Sequence, residues 1–200
     1  MKTSNRNILA VLATGITIVF ATSAKANLVA NGGFENGDFT GWTLGGNTGF
    51  TGVSGNFDGV APNSGSYQAY FGAVGSTGYI TQTISTTPGG SYSLDFWIAN
   101  FGGTPSYVNA LWNDVQVIST PILPLVNSSS FPYTEYTSTV TATTTTSSIE
   151  LVFQQNPSYF LLDDVSVTPV PEASSCLAGA LLLIPLGMSA LRILRKSQTA

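Results

Sequence analysis

Five residues near the middle of the chain carry side chains suited to holding a sugar: Trp97, Asp95, Trp112, Tyr107 and Asn109. Flat aromatic rings stack on the apolar faces of sugar rings, while carboxylates and amides exchange hydrogen bonds with sugar hydroxyls. Trp97 and Asp95 alternate with apolar residues along the sequence, and Trp112 stands beside a polar turn. This pattern predicts a glycan-contact patch. The alternative is that loops shield both tryptophans, so that they contribute to packing alone.

The residue types that most enzymes need are missing from the middle of the chain. There is no His in the protein, and residues 27–170 also contain no Lys, Arg or Cys. Pairs of nucleophile and base, and phosphate-binding loops, therefore cannot be assembled there. A carboxylate pair such as Asp95 with Glu150 could catalyse glycoside hydrolysis, but nothing in the spacing places two carboxyls in one cleft. We therefore expect a non-catalytic protein.

The distribution of charge excludes one class of partner. Of the ten acidic residues all except Glu172 lie between residues 27 and 170, whereas all six basic residues lie outside that stretch. A domain with many carboxylates and no cation repels phosphate backbones and anionic lipid head groups. Nucleic acid is therefore excluded as a partner.

The N-terminal end has the layout of an export signal. Lys2 and Arg6 precede an uncharged apolar run, residues 8–21, and small residues follow at Ala24 and Ala26. This order predicts a secretory signal peptide over residues 1–26, cleaved after Ala26. The alternative is an uncleaved membrane anchor, for which the apolar run is short.

The C-terminal end has three parts, predicted to form one sorting signal over residues 171–200. Pro171 and Glu172 come first, an uncharged stretch at 173–191 has the length of a transmembrane helix, and a basic end begins at Arg192. This order resembles the PEP-CTERM sorting signal of bacterial exosortase systems, although Ala173 stands where that family has a second Pro. The resemblance implies processing by an exosortase-type enzyme, at least transient attachment to the membrane, and a place at the cell surface or in an exopolysaccharide matrix. A eukaryotic GPI signal is the alternative, but such tails usually end in apolar residues.

The stretch between the two ends, residues 27–170, predicts a single all-β domain. Short runs of alternating apolar and polar residues recur between clusters of Gly, Pro, Asn and Ser, which is typical of a sandwich or barrel. Over residues 92–99 the even-numbered side chains are predicted to face the core and the odd-numbered ones to face outward. Asn113 and Asp114 are predicted to form a hairpin turn, and Trp42 is predicted to lie in the core. The Thr-rich stretch 133–148 predicts a strand followed by a loop.

Near the end of this domain, four residues are predicted to share one face of the last strand: Leu161, Asp163, Val165 and Val167. This arrangement would place the Asp163 carboxylate in line with buried valines.

Two short patterns bracket the domain. The opening residues 27–35 (NLVANGGFE), with Gly41-Trp42-Thr43, and the closing residues 162–167 (LDDVSV) resemble the first and last strands of galactose-binding-like jelly rolls. Carbohydrate-binding modules share this pattern. The resemblance implies a jelly-roll-type β-sandwich in which the first and last strands lie side by side.

The same resemblance implies a structural calcium. In that family the ion often sits where the Phe-Glu carboxylate meets the Asp of the closing strand, which makes Glu35 and Asp163 the candidate ligands here. Calcium prefers carboxylate and carbonyl oxygens, and this domain has nine acidic residues and no cation. The alternative is that Glu35 caps a turn and Asp163 accepts backbone N–H groups.

Two functions from different classes follow from these observations. One is a surface or matrix protein with a structural or adhesive role in an exopolysaccharide or biofilm. The other is a dedicated carbohydrate-binding module that recognises glycan through exposed aromatic residues. Exposure of Trp97 and Trp112 on one face would favour the second function, and burial would favour the first.

Overall fold

The computed structural model describes residues 26–171. The predicted signal peptide lies outside these residues apart from Ala26, and the predicted sorting signal with its helix at 173–191 lies outside them apart from Pro171. Within residues 26–171 no helix is long and apolar enough to cross a membrane. The described chain forms eleven strands: β1 Thr43–Gly46, β2 Thr51–Ser54, β3 Gln68–Phe71, β4 Gly78–Ser85, β5 Ser91–Asn100, β6 Ser106–Trp112, β7 Val115–Gln116, β8 Leu125–Val126, β9 Phe131–Thr141, β10 Thr146–Gln155 and β11 Phe160–Pro169.

The strands form two antiparallel sheets. The six-stranded sheet has the order β1-β4-β10-β6-β7, with β8 also paired to β6, and the five-stranded sheet has the order β2-β3-β11-β5-β9. From β3 to β6, and again from β9 to β11, successive strands alternate between the two sheets, so the chain crosses the sandwich repeatedly. The all-β sandwich predicted from the sequence is confirmed.

Alternating side chains build the core between the sheets. On β5 the residues Tyr92, Leu94, Phe96 and Ile98 are at most 4 % exposed, and they belong to the hydrophobic core, as their spacing predicted. Across the sandwich, Phe71 of β3 stacks on Phe153 of β10 with ring centroids 4.0 Å apart. This contact joins the two sheets.

The prediction that four residues of the last strand share one face is wrong for two of them, Leu161 and Asp163. β11 pairs with β5 in regular register up to Asp163, skips two residues, and resumes at Ser166. Asp164 lies at this bulge with φ +51°. A β-bulge inserts an extra residue and so exchanges the two faces of the strand. Leu162 and Val165 therefore face the core, whereas Leu161 and Asp163 lie on the outer side of the five-stranded sheet, although both are fully buried.

The opening residues lie beside the last strand, but they do not form a strand. Residues 27–34 are irregular, with left-handed backbone at Asn31 and Phe34, and the first strand begins only at Thr43. Backbone hydrogen bonds nevertheless join Leu28 to Val167 at 2.9 Å and Gly32 to Val165 at 2.9 Å. The resemblance therefore located this segment correctly and assigned it the wrong local structure.

Two other local predictions are confirmed. Trp112 pairs with Val115 across a two-residue turn in which Asn113 and Asp114 have φ +50° and +63°, as a type I′ hairpin requires. The Thr-rich stretch forms the second part of β9, and a short turn leads from there to Thr146. Residue Thr120 bridges to Thr137, so a loop covers part of the β9 edge.

Candidate functional site

The structure places the five predicted glycan-contact residues in three different locations. Trp97 and Asp95 lie on the outer side of the five-stranded sheet, and Tyr107 and Asn109 lie on the outer side of the six-stranded sheet. Trp112 lies in the core between the sheets, 6 % exposed. The five residues therefore do not form one patch. Trp97 and Trp112 are not exposed together on one face, so this criterion does not favour the carbohydrate-binding module.

Trp112 has a packing role. Its indole N–H donates to the Thr141 carbonyl oxygen at 3.1 Å, and its ring centroid lies 6.2 Å from that of Tyr92. Because Val108 and Ala110 face the core, Trp112 at the same parity faces it too. Trp42 is likewise buried, as predicted, and it stacks on Phe34.

The outer side of the six-stranded sheet presents a surface that we call the tyrosine face. Strand pairing places Tyr79 beside Val152 and Val152 beside Asn109, while Gln154 pairs with Tyr107. The tyrosine face is defined by these partly exposed residues of β4, β6 and β10 together with Glu150: Tyr79, Tyr107, Glu150, Val152 and Gln154. Asn109 lies among them but is only 5 % exposed.

Most polar side-chain groups of the tyrosine face form no hydrogen bond with the rest of the described chain. Among residues 26–171 the hydroxyls of Tyr79 and Tyr107 and the side chains of Gln154 and Glu150 make no hydrogen bond, whereas the Asn109 amide oxygen accepts the N–H of Ala110 at 2.9 Å. A cavity of about 530 Å³ opens beside Tyr107, Val152 and Gln154. The Tyr107 ring and the free amide of Gln154 therefore line one open depression, and Tyr79 lies apart from it at the β1 edge of the face.

Tyr79 owes its position to a glycine. Gly45 of β1 stands directly opposite Tyr79, and a Cβ on Gly45 would lie 2.3 Å from the tyrosine ring and hydroxyl. The ring therefore lies across the backbone of β1, which a larger residue would prevent. This packing holds Tyr79 as a flat platform at one edge of the face.

The carboxylates of the two outer faces are far apart in the fold. Burial, followed by the nearby charge of Asp114, raises the pKa of Glu150 on the six-stranded sheet. Asp95 lies on the opposite outer face, where its oxygen accepts hydrogen bonds from Ser93 at 3.0 Å and from Thr137. Asp95 and Glu150 therefore do not share a cleft, so the carboxylate pair considered for glycoside hydrolysis is not assembled.

A groove surrounds Trp97 on the five-stranded sheet. Trp97 is partly exposed and pairs across β9 with Glu135 and across β11 with Asp163. The groove has a volume of about 350 Å³ and is also lined by Asp95 and Asp164. Side chains of residues paired in this way lie within contact distance on one face of a sheet. We call this depression the Trp97 groove.

A second, larger cavity of about 730 Å³ lies further along the same two strands. Phe101, Phe131 and Tyr133 line it, together with Asp58. The sequence gives no signal for these aromatic residues, because Phe101 follows β5 and Phe131 begins β9, outside the runs of alternating apolar and polar residues. Tyr133 reaches across the sheet and donates its hydroxyl to Gln68; burial, followed by the charges of Asp163 and Asp164, raises its pKa.

Both candidate calcium ligands, Glu35 and Asp163, lie beside Gly33. A Cβ on Gly33 would lie 3.7 Å from Asp163 Oδ1 and 3.7 Å from Glu35 Cγ. Both carboxylates also contact the loop that precedes β3. Glu35 accepts the N–H groups of Ser66 and Tyr67 at 2.9–3.1 Å, and Asp163 accepts that of Ser64 at 3.2 Å. These are the turn-capping contacts of the alternative interpretation.

Asp163 is a buried acid without a counter-ion. It is 0 % exposed, and no Lys, Arg or His occurs among residues 26–171. Burial, reinforced by the neighbouring Asp164 and opposed by backbone hydrogen bonds, raises its pKa to about 7. Within residues 26–171 no group of three or more His, Cys, Asp or Glu side chains could hold a metal ion. Glu35 and Asp163 are hard oxygen donors of the kind that calcium prefers, and a calcium site here would need backbone carbonyls and water as its other ligands.

Comparison with known proteins shows the fold. No protein-family model matches the chain, and no curated protein matches it in sequence. Among solved structures, TmCBM61 in complex with beta-1,4-galactotriose matches with a TM-score of 0.58 and 16 % identity, covering 72 % of this chain and 99 % of its own. A Family 16 carbohydrate-binding module matches with a TM-score of 0.50 and 18 % identity over 71 % of this chain and 99 % of its own.

A third solved structure is the enzymatically active domain of the tailspike protein 4 of Bacteriophage CBA120. It matches with a TM-score of 0.51 and 16 % identity over 72 % of this chain, and the match spans only 21 % of the phage chain. At these identities the likeness concerns the fold. The described chain has the jelly-roll β-sandwich fold of carbohydrate-binding modules.

Proposed function

We propose that the protein is an exported, non-catalytic carbohydrate-binding protein and that the tyrosine face is its principal glycan site. The observation that carries the proposal is the open six-stranded face itself. It combines two aromatic platforms with uncommitted amide and carboxylate groups beside a depression. The likeness of the fold to carbohydrate-binding modules supports it independently.

The chemistry of the tyrosine face suits a neutral glycan chain. Tyr79 and Tyr107 offer rings for stacking at little cost in conformational entropy, because their side chains have few rotatable bonds. Gln154 can both donate to and accept from a hydroxyl, and Glu150 adds an acceptor. Because the strands run side by side, these groups lie along a surface that can follow several sugars of one chain.

Titration calorimetry with neutral β-1,4-linked galactan, glucan and xylan oligosaccharides tests the proposal. We expect saturable binding of at least one of them, with Kd raised about tenfold or more in Tyr79→Ala and Tyr107→Ala. Tyr67→Ala is the matched control, because Tyr67 is an exposed tyrosine far from this face in the strand order. Absence of binding to every oligosaccharide, or equal losses in all three variants, would contradict the assignment.

The ends of the chain support export and sorting as part of the same proposal. A signal peptide ending at Ala26 would deliver the domain outside the cell, and an exosortase-type enzyme acting near Pro171 and Glu172 would release or transfer it at the membrane. Its partner there would be the exopolysaccharide of the producing bacterium, in a surface or biofilm matrix. Mass spectrometry of the protein recovered from the medium checks both termini, and retention of residues 173–191 would contradict the sorting step.

Structural calcium is the remaining part of the proposal. Glu35 and Asp163 would hold the ion, which would supply the positive charge that the buried carboxylate lacks and would tie the segment 27–35 to β11. Calorimetric titration of the chelator-treated protein with calcium measures the site directly. Binding of equal strength in Glu35→Gln and in the unmodified protein would refute this ligand pair.

A further inference from the structure

The Trp97 groove lies on the outer face opposite to the tyrosine face. Asp95 and Trp97 belong to β5 of the five-stranded sheet, whereas Tyr107 and Gln154 belong to the six-stranded sheet. Two packed sheets and their core separate the two surfaces. A glycan chain lying along one face therefore cannot contact the other without bending around the sandwich.

The groove is built around an indole. Trp97 is the one tryptophan of the chain's three that is partly exposed, because Trp42 and Trp112 are 7 % and 6 % exposed. Its neighbours Phe96 and Ile98 face the core, so the alternation of β5 turns the Trp97 ring outward into the depression. The ring therefore forms an aromatic surface that packing between the sheets does not use.

Three carboxylates surround this ring. Glu135 pairs directly with Trp97, and Asp95 and Asp164 line the same groove. Asp164 accepts hydrogen bonds from Ser64 and Asn63 at 2.6 and 2.8 Å, which orient its carboxylate, whereas the Glu135 carboxylate makes no hydrogen bond within residues 26–171. A carboxylate has about four acceptor positions, so each of the three retains capacity for a ligand.

The sign of the charge defines the ligand class. No Lys, Arg or His of residues 26–171 compensates the three carboxylates, so the groove repels sulfated sugars and uronic acids. A protonated amine is attracted both by carboxylates and by the face of an indole ring. The tyrosine face has the single carboxylate of Glu150 and lacks this preference.

We propose that the Trp97 groove is a second carbohydrate site, specific for glycans that carry protonated amino sugars. The inference rests on the proposed function, because it assigns to the domain a second glycan contact of different chemistry. A protein with both sites holds two chains on opposite faces and bridges a neutral polysaccharide to an amine-bearing one. Bridging of this kind cross-links two polysaccharides, as a matrix component does.

Tryptophan fluorescence of the purified protein tests the groove directly, because Trp97 is its most exposed tryptophan. We expect glucosamine oligomers to change the emission saturably, and their N-acetylated counterparts to bind at least about tenfold more weakly. Added salt should weaken the response, since it screens the carboxylates. An equal response to free and acetylated amines, or no response, would overturn the proposal. Calcium is kept constant, so that an effect of the ion on the nearby Asp164 is not mistaken for sugar binding.

Two variants protect the test against misfolding. Trp97→Phe should abolish the fluorescence response and weaken binding measured by calorimetry, and Glu135→Gln removes one exposed charge without touching the core. Asp114→Asn is the matched control, because it removes one exposed carboxylate beside the other sheet, in a left-handed turn position that Asn accepts. If Glu135→Gln binds glucosamine oligomers as tightly as Asp114→Asn does, the carboxylates do not form the site.

The two proposals fail in different ways. If the tyrosine face is not a glycan site, neutral oligosaccharides do not bind, whereas the response of Trp97 to glucosamine oligomers persists and is unchanged in Tyr107→Ala. If the Trp97 groove is not a site, neutral oligosaccharides bind normally and glucosamine oligomers leave the fluorescence unchanged. With both sites present, protein captured on chitosan beads should retain a neutral oligosaccharide, and either Tyr107→Ala or Glu135→Gln should reduce that retention.

Discussion

The buried carboxylate of Asp163 makes the stability of the domain depend on pH, and the proposed calcium would reverse the sign of that dependence. Without the ion its pKa in the folded protein is about 7, against 3.8 for the group free in solution. The folded protein holds this proton more tightly than the unfolded chain does, so protonation of Asp163 stabilises the fold. This stabilisation is complete below the pKa of the unfolded chain and is lost as the pH rises through the pKa of the folded protein.

The size of the effect follows from these two values. Between pH 5 and pH 8 the free energy of unfolding should fall by about 2.5 kcal/mol from this group alone. For a domain of this size that is a fall in Tm of about 8 °C. Glu150, whose pKa is also raised, adds a change of the same sign. Bound calcium would reverse the trend, since protons then compete with the ion for Asp163.

The assay is a series of melts by circular dichroism across this pH range, in chelator and in excess calcium. Asp163→Asn should flatten the dependence of Tm on pH in chelator and should remove the difference in Tm between chelator and calcium. Asp58→Asn should leave the pH dependence and the calcium effect unchanged. Asp58 suits this comparison because it is exposed and has φ +49°, a conformation that Asn adopts readily. Parallel slopes for the unmodified protein and Asp163→Asn in chelator would refute the assignment of the buried charge.

Three further predictions concern packing and turns. Gly32→Ala should destabilise the domain by about 1–3 kcal/mol in urea melts, because its Cβ would lie 2.0 Å from the Val165 carbonyl oxygen, whereas Gly33→Ala should be tolerated with contacts of 3.6 Å or more. Phe153→Ala should cost about 3–5 kcal/mol in the same measurement, since the ring is fully buried and stacked between the sheets. Asn113→Val should lower the free energy of unfolding by about 1–2 kcal/mol because φ is +50° there, and Asn113→Gly should retain the turn geometry.

Much of the fold could be read from local patterns. The alternation on β5 identified the core side of that strand, and Asn-Asp identified the hairpin, because each depends on neighbouring residues alone. The bulge at Asp164 could not be read in this way. It requires knowledge of how β11 pairs with β5, and it exchanges the faces of Leu161 and Leu162.

The site was harder to predict than the core. The alternation on β5 correctly turned Trp97 away from the core, but Trp112, expected on the surface beside its turn, lies in the core. Alternation also carries no information on which sheet a strand joins. β5 and β6 are consecutive in the chain and lie in different sheets, so residues expected to form one patch lie on opposite faces. Tyr79 joins Tyr107 on one face only because β10 pairs with both β4 and β6. Strand order, set by packing of the whole domain, decides the composition of each surface.

The central position of the last strand has a mechanical consequence. β11 lies in the middle of the five-stranded sheet, paired with β3 on one side and with β5 on the other, and the chain leaves the domain from its end. A pull on the C-terminal end is directed along β11, so the hydrogen bonds on both of its sides resist together in shear and cannot open one after another. Leu28 adds a further bond near the point where the force enters. Resistance to forced unfolding depends on the rate at which these hydrogen bonds around β11 break. The topology therefore suits a domain that is held by its C-terminus under tension.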